Sequence, residues 1–239
     1  MKIYNDFIKD CFQMLESYKG TLIDISMGED RWTDVGNYNF IFQNDMAYEL
    51  GGDEMPAVSG IGFTSDKELV GEDEIWLYGE DLKDIKENTP YARLTFIRVE
   101  EGSLGADDKA YSAINKIEHT RYKINPKGYM MRISVINSRE PVRVGKNELK
   151  EGLNFAKVGR LFLNGYHSDK RVKAVKIIFI TLKNFPYEDL MVQVKKSDGI
   201  TKALDHIYRN IKMDCSACNL KDICNEVDEL REMHFNQGN

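Results

Sequence analysis

The sequence predicts an α+β fold, and three observations carry that reading. Residues 91–99 and 172–182 are rich in β-branched and aromatic side chains, and the first alternates with period two, as strands do. Residues 107–122, 147–163 and 199–212 repeat apolar side chains at helical spacing. The strands and helices follow one another without a regular βαβ rhythm, so segregated elements and a mixed sheet are expected.

The elements follow in chain order. Over residues 5–18, Phe7, Cys11, Met14, Leu15 and Tyr18 share one helical face. A Gly- and aromatic-rich stretch beginning at Asp34 comes next, and Tyr48-Glu-Leu-Gly-Gly-Asp-Glu-Met-Pro then brings a Gly-Gly turn and a proline stop. Ile75-Trp-Leu-Tyr reads as a short buried strand ended by Gly79. Residues 81–87 form a turn or short helix before Pro90, which leads into the strand 91–99. The helix 107–122 aligns Ala110, Ile114, Ile117 and Arg121. A strand is predicted over 129–136, and a helix over 147–163 with Leu149, Leu153, Ala156 and Leu163 inward. After the strand 172–182, the helix 199–212 aligns Ile200, Ala203, Leu204, Ile207 and Ile211 and delivers the chain to Cys215. A last helix covers 226–234.

The chain has 239 residues, 42% hydrophobic and 30% charged, with net charge −6. That length supports one large or two small domains. No run approaches the roughly 18 apolar residues of a membrane span. The acidic balance argues against nucleic-acid binding, which usually requires a basic face. Lys170, Arg171, Lys173 and Lys176 are the only basic cluster, and they fit a solvated strand edge. Met1–Lys9 lacks the apolar core of a signal peptide, so a reducing cytoplasmic location is expected, where disulfides are rare.

Chemistry concentrates in the cysteines. Cys215-Ser-Ala-Cys218-Asn-Leu-Lys-Asp-Ile-Cys224 is a C-x2-C-x5-C run, and Cys11 is the fourth and last cysteine. A C-x2-C hook lets two thiolates grip one metal centre, and a third just downstream closes another position. Four cysteines are the usual ligand set of a [4Fe–4S] cluster. Zinc is the alternative, although the second C-x2-C or the H-x3-5-H partner of a zinc ribbon is absent. Cys11 reads either as the fourth ligand or as a small buried hydrophobe on its helix. His234 is the reserve ligand. Asp214, Lys221 and Asp222 make the loop polar and open to a partner.

From Tyr48 onward the order of motifs resembles the β subunit of the CO dehydrogenase/acetyl-CoA synthase complex. Tyr48-Glu-Leu-Gly-Gly-Asp-Glu-Met-Pro-Ala matches that family's VELGG-type segment followed by Pro-Ala. Ile75-Trp-Leu-Tyr-Gly-Glu-Asp-Leu is similar to its V-x-V-I-G-P-D-I strand and turn. Lys116-Ile-Glu-His119, Gly128-Tyr129, Val142-Arg143-Val144 and residues 152–163 fall in the family's order before the strand 172–181. The resemblance spans residues 45–225. It implies an iron–sulfur protein of one-carbon, corrinoid or acetyl-CoA metabolism, with Cys215, Cys218 and Cys224 on a [4Fe–4S] cube and a corrinoid or redox protein as partner. It also implies CoA binding through Arg121, Arg132, Arg139 and Arg143, since the planar arginine fork suits phosphate. The alternative for these arginines is pairing with Glu118 and Glu140.

The departures from the family bear on activity. The third-cysteine spacing is shorter than the family's, and its fourth cubane cysteine has no counterpart after Cys224. The Cys-Gly-Cys that holds the distal nickel is absent from this sequence. The expected role is therefore accessory, electron-transferring or scaffolding. The alternatives are a CO-methylating synthase component completed by a partner chain, and a zinc-stapled interaction module. Glu148-Leu-Lys150 has the E-x-K pattern of cluster-bearing nucleases, but it opens a helical stretch rather than lying on a core strand. The division implied is 1–40, an N-terminal helix and extension; 41–198, a synthase-like α+β domain; and 199–239, a helical cysteine segment.

Overall fold

The computed structural model of the protein describes residues 2–26, 41, 44–52, 54–104, 108–132, 138–208 and 218–236. Its centre is a five-stranded mixed sheet made of β1 (Thr21–Leu22), β4 (Glu74–Tyr78), β8 (Val172–Ile180), β5 (Tyr91–Val99) and β3 (Ala57–Thr64), in that spatial order. The β1–β4 and β8–β5 pairs are antiparallel, whereas β4–β8 and β5–β3 are parallel. A second, antiparallel sheet has the order β2 (Ala47–Leu50), β7 (Val142–Gly145), β6 (Tyr129–Met131). The sheets are joined where Gly51 and Thr89 share a backbone hydrogen bond and Ser59 N–H donates to the Ser138 carbonyl. This is the α+β architecture the sequence predicts.

Helices cover both faces of the large sheet. On β5, Phe96 meets Phe7 and Phe12 of α1 (Asn5–Leu15), and the opposite face places Tyr91 against Phe155 and Arg93 against Phe162 of α4 (Phe155–His167). This explains why β5 is buried along almost its whole length although its sequence alternates as a half-exposed strand would. α5 (Tyr187–Tyr208) lies beside α1 on the Phe96 face. There Gly60 and Gly62 of β3 make room for them, since a Cβ would stand 2.7 Å from Val194 at Gly60 and 3.1 Å from Phe7 at Gly62. The same glycines weaken the strand pattern of residues 57–64, which sequence reading passes over.

Other elements shift from expectation for local reasons. The helix predicted over 147–163 is two helices, α3 (Lys146–Lys150) and α4. Gly152 takes a left-handed φ of +89°, and the Asn154 side chain accepts from Lys157 N–H to start α4. The inward face of α4 is consequently Phe155, Val158, Phe162, Leu163 and Tyr166 rather than the stripe through Ala156. α2 (Asp108–His119) ends in a 3-10 turn, Thr120–Lys123, that keeps Arg121 buried. α5 begins twelve residues before the predicted helix and crosses the expected division at 198/199. Of the strand predicted over 129–136, the part after Arg132 lies outside the described residues, as do 209–212 of the helix 199–212. α6 (Lys221–Glu226) and α7 (Asp228–Asn236) close the chain. One hydrophobic core runs from Ile3 to Leu230 through all three expected divisions. Among the described residues, no helix is long and apolar enough to cross a membrane.

Candidate metal centre

The cysteine segment is built on α5. α6 seats against it where Gly199 faces Ile223, with so little space that a Cβ on Gly199 would stand 2.9 Å from the isoleucine. A Lys196–Glu226 ion pair at 3.8 Å and the buried Leu220 support the same contact. α7 adds Leu230, fully buried, and Glu229 accepts from the backbone N–H of Lys2 at 3.4 Å. A cavity of about 350 Å³ separates the start of α1 from α6, with Lys2, Asp6 and Asp10 on one side and Ile223 and Glu226 on the other.

Cys218 stands just before α6 and Cys224 within it. Both are partly exposed, and neither is in a disulfide. The Cys218 sulfur accepts from the Leu220 N–H at 3.5 Å, while its carbonyl accepts from Lys221 N–H at 3.2 Å. Cys224 N–H continues the turn to the Leu220 carbonyl at 3.0 Å. Lys221 and Asp222 are exposed, as the polar character of the loop implies. Cys215 and Asp214 lie outside the described residues, as does the side chain of His234 on α7.

Cys11 is placed differently. It has no exposed surface and sits on the core face of α1 with Phe7, Ile8 and Leu15. Burial, with a smaller contribution from Asp10, pushes its thiol pKa up and keeps it protonated. Among the described residues, no three His, Cys, Asp or Glu side chains are grouped to hold a metal, so Cys11, Cys218 and Cys224 do not form such a set.

The four arginines do not converge on one pocket. Arg132 and Arg143 both grip Glu49, each at 2.6 Å, and Arg143 also donates to the Ile41 carbonyl. Glu49 belongs to the Tyr48-Glu-Leu-Gly-Gly motif, so that motif fastens β2 to its neighbours. Arg139 donates to the Met55 carbonyl at 3.5 Å. Arg121 pairs with Glu118 at 3.3 Å, donates to the Tyr122 hydroxyl at 2.6 Å and lies over that ring. It lines a cleft of about 220 Å³ between α2 and α5 together with Glu118, Asp198 and Asp205. Burial and the Glu118 charge raise the Asp198 pKa to about 6. The lining is mixed, with Lys202 and Arg121 beside these three carboxylates. Three members of the basic cluster are likewise engaged, Arg171 with Asp169, Lys173 with Glu100 and Lys176 with Glu74. Glu148-Leu-Lys150 lies on α3.

Sequence reading missed a buried polar network at the joint between the sheets. Arg93 donates to Glu140 at 2.5 Å and to the Met131 sulfur at 3.0 Å, and its guanidinium lies 4.2 Å from the Phe162 ring centre. Beside it the Tyr91 and Tyr129 hydroxyls share a hydrogen bond of 2.5 Å. Burial pushes the Tyr129 and Tyr166 pKa values up to about 12, so both stay neutral. The available signal was Arg93, a charge set among apolar residues near the start of β5.

Comparison with known protein families and with curated proteins finds no match for this chain. Its functional reading therefore rests on its own residues.

Proposed function

We propose that this chain is an iron–sulfur protein related to the acetyl-CoA synthase β subunit, with a [4Fe–4S] cluster held by Cys215, Cys218 and Cys224. The carrying observation is the C-x2-C-x5-C run at the end of α5, with Cys218 and Cys224 kept as partly exposed thiols on a short segment fastened to that helix. Cys11 packs in the core, so Cys215, Cys218 and Cys224 would be the residues that hold the cluster. The bound cluster supplies one-electron transfer, and the polar loop around it is the docking face for a corrinoid or redox protein. The role is accessory, electron-transferring or scaffolding in one-carbon or acetyl-CoA metabolism. CoA is left out of this role because Arg121, Arg132 and Arg143 are engaged with carboxylates.

Anaerobic purification tests the reading. The protein should be brown, with about four irons and matching acid-labile sulfide per chain. Cys215→Ser and Cys218→Ser should each abolish the colour. Colourless protein with stoichiometric zinc and no labile sulfide would replace this reading by the zinc-stapled module. Stoichiometric nickel in the isolated chain would show that nickel binding here does not require Cys-Gly-Cys.

A further inference from the structure

Beneath the joint between the sheets, four side chains from separate elements each retain one polar atom without a hydrogen-bonding partner. They are Nε of Arg93 on β5, Nε of Arg121 after α2, the hydroxyl of Tyr166 on α4, and Oε1 of Glu140 ahead of β7. All four residues are at least 96% buried, with exposures of 1%, 4%, 1% and 4% in that order. Their proximity is mutual. Arg93 pairs with Glu140 and lies over Phe162, whose ring stacks on Tyr166, while the turn carrying Arg121 packs on α4 at Gly165; charge interactions link Arg121 to Glu140 and Tyr166. Few buried polar atoms in a folded protein go without a partner, and four in one small region require a common explanation.

We infer that this region is a binding site for ordered internal water. The class of occupant follows from charge and hydrogen-bond roles. Arg93 and Arg121 supply two positive charges, and Glu140 and Glu118 supply two negative ones, so the site is balanced. An anion would be repelled by Glu140, and a cation by the two guanidinium groups. The occupant must accept hydrogen bonds from two N–H groups and donate to a carboxylate oxygen, while a phenol can take either role. Water meets all of these requirements, and buried water typically makes about three hydrogen bonds to such groups. The inference does not depend on the cluster reading.

Solution NMR on the full-length, isotope-labelled protein tests this. The Nε–H protons of Arg93 and Arg121 should both show cross-peaks to the water resonance, with the sign of a molecule tumbling with the protein. Those cross-peaks should persist in Tyr166→Phe, which removes the adjacent exchangeable hydroxyl that could relay the signal and leaves the water its three other partners. They should also be unchanged when chloride is exchanged for acetate. Absence of the cross-peaks, their loss in Tyr166→Phe, or a crystal structure with an ion or a protein acceptor on either Nε would overturn the inference.

Discussion

At the joint between the sheets, charged side chains are almost wholly excluded from solvent and tied to other elements, as Arg93 is to Glu140 and Phe162. In the C-terminal segment, Cys218 and Cys224 keep part of their surface exposed, and α6 leans on α5 around the Gly199–Ile223 contact. Both regions hold polar side chains on or beside regular elements. In the first, that chemistry is consumed internally, so it fixes geometry. In the second, it faces outward, so it is open to bind. Burial, rather than residue type alone, separates the two regions, and by burial Cys11 belongs with the first.

The largest expected effect lies in the joint. Glu140→Ala leaves the Arg93 guanidinium buried without its carboxylate and should cost about 3–5 kcal/mol of unfolding free energy in chemical denaturation. Replacing both partners with apolar side chains of similar volume should recover most of that loss, because neither charge is then desolvated. If the single and double variants are equally unstable, the joint depends on packing rather than on charge pairing.

Cys11 sharpens the comparison at the boundary between the regions. Cys11→Ser places a hydroxyl in the apolar core and should lower stability by about 1–3 kcal/mol. The visible spectrum of the anaerobically purified protein should not change. A bleached or rapidly decaying spectrum in that variant would make Cys11 a ligand and place it with the outward chemistry.

Asp198, on the cleft side of α5, is expected to respond to pH. Its folded pKa of about 6 lies above the unfolded value of about 3.9, so folding disfavours the ionised form. The resulting loss of stability is absent below the unfolded pKa and fully developed above the folded one. Asp198→Asn should therefore stabilise the protein by about 1–2 kcal/mol at neutral pH and have little effect near pH 4. A pH-independent gain would instead point to altered packing.

The smallest effect is at His167, whose Nε2 contacts both oxygens of Asp73 at 2.9 and 2.8 Å. Its hydrogen bond to Asp73 raises the imidazole pKa. The stabilisation is fully present below the unfolded histidine pKa and is lost as pH rises through the folded one. Because the pair is about one-third exposed, the contribution should be on the order of 0.5 kcal/mol. Comparing wild type with His167→Gln across that pH window by thermal denaturation measures it.

The sequence by itself determined the strong local signals: the strands through Tyr91–Val99 and Val172–Ile180, the amphipathic faces of α1 and α2, and the α+β class. It also places three cysteines within ten residues of one another, the spacing on which the metal reading rests. Tertiary structure decided what each polar residue faces. β3 carries its pattern through two glycines whose purpose is visible only where Phe7 and Val194 press on them. Arg132 and Arg143 resemble phosphate-binding arginines until Glu49 is found between them. Cys11 has the residue type of a ligand, but the packing of α1 turns it into the core. Local periodicity is a property of neighbouring residues, whereas charge pairing and burial depend on residues far apart in sequence, such as Arg93 and Glu140, that only the folded chain brings together.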